Sequence, residues 1–67
     1  MPGRQRLQEI VNDAATELVA EANRLCQAAD KPGTVTQEYV AEHAQAARAA
    51  VDKAEEACRI LVKEEGG

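Results

Sequence analysis

The chain has 67 residues, a formal net charge of −4 and a hydrophobic fraction of 45%, values that describe one small acidic domain. We expect no nucleic-acid partner, because an acidic chain lacks the cationic surface that binding to phosphates requires. It has no apolar run of about 18 residues and no signal-peptide pattern after Met1, so we expect a cytoplasmic protein that makes no membrane contact.

The hydrophobic fraction overstates the core, because it includes fourteen alanines and only twelve Leu, Ile or Val residues. At about 25 cal/mol per Å² of buried apolar area, such a core barely offsets the conformational entropy lost on folding. A metal, disulfides or self-association must therefore supplement it. Self-association fits best, because the apolar stripes are wider than one helix pair can cover.

The first predicted element is a helix over residues 4–30. Its apolar side chains recur mainly at spacings of four and three residues, the pattern of a helix with one packed face: Leu7, Val11, Ala14, Leu18, Ala22, Leu25 and Ala29. A second row lies beside the first and widens the face: Ala15, Val19, Ala22 and Cys26.

A turn is predicted over residues 31–35. Pro32 lacks an amide hydrogen and disfavours helix at Lys31, and Gly33 adopts turn conformations easily. Thr36 is the predicted N-cap of the next helix, since its hydroxyl can accept a hydrogen bond from a free amide of the first turn. A competing start at Thr34, with Gln37 as its capping-box partner, remains open.

The second helix is predicted over residues 36–65, with Gly66 and Gly67 ending it. One seam runs along it at alternating spacings of four and three: Val40, Ala44, Ala47, Val51, Ala54, Cys58 and Leu61. Most of these side chains are small, so a partner helix can approach closely. Replacing Ala47 or Ala54 by leucine should therefore be costly, and replacing Ala28, at the margin of the first stripe, less so.

These elements predict an all-α fold, an antiparallel two-helix hairpin in which residues whose numbers add to about 66 lie level. We expect two hairpins to pair into a coiled-coil-like, Ala-rich dimeric four-helix bundle, with parallel and antiparallel pairing both open. The predicted interface consists of the two stripes: Leu7, Val11, Ala14, Leu18, Ala22, Leu25, Val40, Ala44, Ala47, Val51, Ala54, Cys58 and Leu61.

The two cysteines cannot bridge within one hairpin, because Cys58 lies level with residue 8, about 27 Å from Cys26 along the helix. In an antiparallel dimer, Cys26 and Cys58 of different subunits share a level, which makes an intersubunit disulfide a hypothesis. The competing interpretation is two buried, reduced thiols that act as small hydrophobic groups.

His43 is the single histidine, and the pattern around it indicates no metal site. A di-iron bundle would place glutamate three residues before it, where Val40 stands. Zinc would require further histidine or cysteine ligands. We interpret His43 as a partly buried boundary residue, with haem ligation as the alternative, and we expect no cofactor.

Enzymatic catalysis finds no support in the sequence. There is no phosphate-binding loop, nucleophile elbow or metal motif, and adjacent glutamates on a helix point to different sides. The leading function is therefore a non-enzymatic, self-associating scaffold or assembly module, a description that an engineered bundle or a domain fragment also fits. The alternatives are a chaperone or adaptor that binds an amphipathic helix of another protein, and a redox- or haem-responsive bundle.

Overall fold

The structure is a computed structural model that describes residues 2–66, and it consists of two long helices joined by a short turn. Helix α1 spans Pro2–Asp30 and helix α2 spans Gln37–Gly66, in a rod of 50 × 14 × 14 Å. The predicted all-α hairpin is confirmed. Helix α1 begins two residues before the predicted residue 4, and of the predicted stop, Gly66 belongs to α2 while Gly67 lies outside the described residues.

Hydrogen bonds that involve the backbone of Lys31 hold the turn between the helices. The Lys31 amide donates to the Gln27 carbonyl at 3.1 Å, which completes the last turn of α1. The Thr34 amide and hydroxyl both donate to the Lys31 carbonyl, at 3.0 and 2.8 Å. These bonds close a single 3-10 turn over Pro32–Thr34, where proline suits the first position.

Thr36 caps α2, as the sequence predicted. Its hydroxyl accepts a hydrogen bond from the Tyr39 amide at 3.0 Å, and its carbonyl accepts one from the Val40 amide at 3.2 Å. The competing start at Thr34 is wrong, because the Thr34 hydroxyl is directed back to Lys31.

Replacing Thr36 by alanine should lower the free energy of unfolding by about 1 kcal/mol, because the Tyr39 amide loses its acceptor. Thr34→Ala is the matched control, since that hydroxyl caps no helix, and it should cost less. Urea denaturation of both variants measures the difference. Equal losses would show that the cap does not stabilise α2.

Among residues 2–66, three side-chain pairs cross between the helices and define their antiparallel register. They are Arg4–Glu65 at the open end, Glu17–Lys53 at 3.3 Å and Glu21–His43 at 2.9 Å nearer the turn. The residue numbers of these pairs add to between 64 and 70, which brackets the predicted value of about 66.

The two helices meet along a row of four alanines and one polar pair, which we call the inner seam: Ala14, Glu21 and Ala28 of α1, and His43, Ala50 and Ala57 of α2. The four alanines are between 1% and 6% exposed. Ala28 is therefore buried, and its predicted position at the margin of the packed stripe is wrong. The short side chains let the helix axes lie close together.

Apart from Leu7 and Ala14, which belong to the row of the inner seam, the predicted stripe residues lie outside the row on which the two helices pack. Within the hairpin, Ala22, Val40, Val51 and Cys58 are exposed, and of the predicted interface residues only Ala14 is buried. On each helix, the inner seam is displaced by about 50° around the helix axis from the next row of the predicted stripe. This shift brings Glu21 and His43 together and leaves the stripe residues at the side of the hairpin.

Candidate functional site

One side of the hairpin carries most residues of the predicted stripes, without Leu7, Ala14, Val19 and Cys26. We call it the apolar face: Val11, Ala15, Leu18, Ala22, Leu25, Ala29, Val40, Ala44, Ala47, Val51, Ala54, Cys58 and Leu61. In an antiparallel pair, rows displaced in the same rotational sense from the seam fall on the same side. A groove near the turn confirms this placement, because Leu25, Ala29 and Val40 line it together. The face therefore combines side chains from both helices.

The opposite side is charged over most of its length, and we call it the charged face. Glu17 and Lys53 form their ion pair there, and a groove lined by Glu17, Glu21 and Arg24 lies beside it. Ile10 and Ile60 line an apolar groove at its open end. The hairpin as a whole is thus amphipathic, with one apolar side and one mainly charged side.

Glu21 is a carboxylate in the inner seam, where its neighbours along α1 are buried alanines. Its side chain is 11% exposed, and that of His43, opposite it on α2, is 18% exposed. The Nδ1 atom of His43 lies 2.9 and 3.1 Å from the two carboxylate oxygens. Since an ionised carboxylate only accepts hydrogen bonds, Nδ1 carries the proton and donates. His43 is partly buried, as predicted.

Arg24 and Tyr39 complete the surroundings of this pair. Arg24 donates from Nη1 to the same Glu21 carboxylate at 2.5 Å, one helical turn along α1. The Tyr39 ring packs on the His43 ring, with centroids 4.3 Å apart and planes at 59°. The carboxylate therefore receives two donors, and the imidazole is held from both sides.

The hydrogen bond from His43 holds the pKa of Glu21 below its ordinary value of 4.5, with help from Arg24 and against the effect of partial burial. Because the folded pKa is lower, the unfolded chain binds a proton first as the pH falls. The contribution of the pair to stability is therefore present above pH 4.5 and is lost as the pH drops through the folded value.

We expect Glu21→Gln to flatten the acid limb of the stability profile, because the variant has no carboxylate to protonate at this position. The measurement is urea denaturation at several values from neutral to acidic pH. Glu17→Gln controls for the loss of one carboxylate, since Glu17 is exposed and pairs with Lys53. An unchanged slope in Glu21→Gln would contradict the role assigned to the pair.

The atoms of the pair that face each other are engaged in hydrogen bonds. Both oxygens of Glu21 are engaged by donors, and the Nδ1 atom of His43 is occupied by Glu21. Within residues 2–66, no three His, Cys, Asp or Glu side chains form a group that could hold a metal ion. The arrangement is that of a structural polar contact.

Cys26 and Cys58 are both exposed in the single hairpin, so the interpretation of buried thiols does not hold for one chain. Cys58 lies on the apolar face, whereas Cys26 lies at the outer edge of that face, one row further around α1. The intersubunit disulfide stays a prediction.

The sequence reasoning missed Glu21 and placed Ala22 in the stripe instead. A signal was present, because Glu21 interrupts a row of alanines spaced by seven residues, His43 precedes two alanines at the same spacing, and the two positions lie nearly level in the predicted hairpin. A carboxylate facing an imidazole is a pair that such rows can accommodate.

No α-helix among residues 2–66 is both long and apolar enough to cross a membrane. Comparison of the chain with protein-family models, with curated proteins and with solved structures found no match.

Proposed function

We propose that this chain is a non-enzymatic, self-associating scaffold module whose apolar face binds the apolar face of a second copy in a dimeric four-helix bundle. The observation that carries the proposal is the extent of apolar surface that the hairpin leaves exposed. Among the described residues, no large side chain is fully buried, and Val40 and Val51 of the apolar face are 39% and 46% exposed.

The total surface supports a second copy as the occupant. The hairpin exposes 5252 Å², whereas a globular monomer of its 7.2 kDa mass exposes about 4,100 Å². The excess of about 1,100 Å² is comparable to the surface of about 800 Å² that each partner buries in a standard interface. Pairing two apolar faces would therefore bring the surface to that of an ordinary folded domain.

The direction of the larger side chains supports a bundle with four helices. Val11, Leu18 and Leu25 on α1, with Val40 and Leu61 on α2, lie in the row next to the inner seam. In a square bundle, each helix has one neighbour along the seam and another below the face, so the row between them points to the bundle axis. Three of the four leucines, Leu18, Leu25 and Leu61, thus occupy the central positions.

The apolar face is also complementary to itself when two copies run antiparallel. On α2, Val40 then lies level with Cys58 of the second copy, Ala44 with its Ala54 and Ala47 with its Val51. On α1, Leu18 lies level with its own symmetry mate. Both sets share one two-fold axis, because position 18 of α1 and position 49 of α2 lie at the same level in the hairpin register.

The test is the dependence of thermal unfolding on protein concentration. If dimer formation stabilises the fold, the melting temperature rises as the chain is concentrated, by mass action. A cooperative melt that does not depend on concentration would contradict self-association. A well-folded monomer that binds an isolated amphipathic helix through this face would instead favour the adaptor function.

Antiparallel pairing predicts a specific crosslink. In a Cys26→Ser background, Val40→Cys should oxidise to a disulfide-linked dimer through Cys58, because the two positions face each other across the subunits. Within one helix they are separated by about 27 Å, beyond reach of a bridge. Non-reducing gels and peptide mapping identify the product, and Glu38→Cys in the same background, on the side away from the face, is the control.

In a parallel dimer, α1 instead lies below α2 of the partner, and the Val40→Cys variant should give no such link. The wild-type Cys26–Cys58 bridge is less direct, because these residues share a level on helices that lie diagonally across the bundle. In the cytoplasmic setting that we propose, both thiols stay reduced and the dimer does not require a disulfide.

A further inference from the structure

Each helix carries two adjacent rows that could form the contact within the hairpin, and the less apolar row does so. The inner seam contains alanines, Glu21 and His43, while the neighbouring row contains Leu18, Leu25 and Val40. Burial of apolar area alone favours turning the larger aliphatic side chains inward. Some interaction must therefore favour the observed pairing.

Glu21 and His43 provide that interaction. Rotating either helix by one row separates the Nδ1 atom of His43 from the carboxylate, a contact of 2.9 Å. Sliding α2 by one heptad places Ala50 opposite Glu21 and leaves a largely buried charge without its partner on α2, which is strongly unfavourable. Both alternative pairings lose this contact.

We propose that the Glu21–His43 contact is a pairing determinant, which selects the inner seam for the contact within the hairpin and so reserves the apolar face for the second copy. This inference deepens the proposed function, because it explains why the apolar face stays outside. A polar pair in a helical seam is suited to such a role, since it discriminates between packings that apolar contacts leave nearly equal in free energy.

Titration and charge around Glu21 are consistent with this role. From α1, Arg24 contacts the carboxylate, and from α2, His43 does so. Glu17 and Lys53 form the next pair along the charged face and do not enter the seam. The pKa of Glu21 is lowered mainly by His43, so the carboxylate stays ionised at neutral pH and needs its donor.

The experiment compares two double-alanine variants of the full chain. Glu21→Ala/His43→Ala gives the inner seam a continuous row of alanines, and Glu17→Ala/Lys53→Ala removes an exposed cross-helix pair one turn away. We expect the control to keep one set of amide signals in NMR spectra and the wild-type contacts from the Ala50 and Ala57 methyl groups to α1. The seam variant should stay helical but show additional signal sets, with weakened contacts at both methyl groups.

Glu21→Leu/His43→Leu provides a second test in case the alanine variant does not fold, because leucine restores buried volume without polarity. A single signal set with wild-type methyl contacts in a folded seam variant would overturn the proposal. Unfolding of both seam variants would also overturn it, because the pair would then be needed for folding itself. A monomeric wild type would contradict the proposed function but leave these contact measurements unaffected, so the two failures are distinguishable.

Discussion

Val51→Glu should dissociate the dimer, whereas Ile60→Glu should leave it intact. The two side chains are similarly exposed in the hairpin, at 46% and 40%, but they lie on opposite faces. In the proposed bundle, Val51 is close to the two-fold axis and faces Ala47 of the second copy. The variant therefore buries two carboxylates near each other without partners, at a cost of several kcal/mol.

Sedimentation velocity at micromolar concentration measures the effect of both substitutions. Circular dichroism of the same samples reports whether the dissociated chain remains helical, and we expect partial unfolding because the hairpin alone has a small core. A dimeric Val51→Glu variant would show that the apolar face is not the interface. Dissociation by Ile60→Glu alone would place the interface on the charged face.

Ala50→Leu should lower the free energy of unfolding by about 1–3 kcal/mol, because it inserts three carbons where two backbones approach closely. Ala50 is 1% exposed and lies in the inner seam. Ala49→Leu, at the next position and exposed, is the matched control and should change stability little. Chemical denaturation measures both, and equal losses would show that the inner seam is not tightly packed.

Burial in the inner seam also changes the stability loss expected for Ala28→Leu. Its burial at 6% exposure means that Ala28→Leu should resemble Ala50→Leu, contrary to the lower sensitivity predicted from its place beside the first stripe. Ala47 and Ala54 are half-buried in the hairpin, so their sensitivity to enlargement depends on the second copy.

Local chemistry explains why the elements were predictable from the sequence. Pro32 prevents α1 from continuing, and the Thr36 hydroxyl caps α2 by accepting a hydrogen bond from the Tyr39 amide. Such signals act over a few residues and need no tertiary information. The short connection then requires the helices to run antiparallel, which brings the three cross-helix pairs level.

Hydrophobicity alone did not predict that the helices pack along the inner seam, because the two candidate rows on each helix are only about 50° apart. The stripe through Leu18 and Val40 is the more apolar, yet the helices pack along Ala14, Ala50 and Ala57. The contact between Glu21 and His43 distinguishes the rows, and it depends on a pair of residues far apart in sequence. A search for hydrophobic periodicity does not detect such a pair.

The central claim is that the apolar face binds a second copy, and the most direct measurement is the mass of the wild-type chain in solution. Sedimentation equilibrium at micromolar concentration, under reducing conditions, determines it without any substitution or crosslink. We predict a mass twice that of the 7.2 kDa chain, returning to the single-chain value on dilution as the chain loses helix. A stable, fully helical species at the single-chain mass throughout the concentration range would contradict the account.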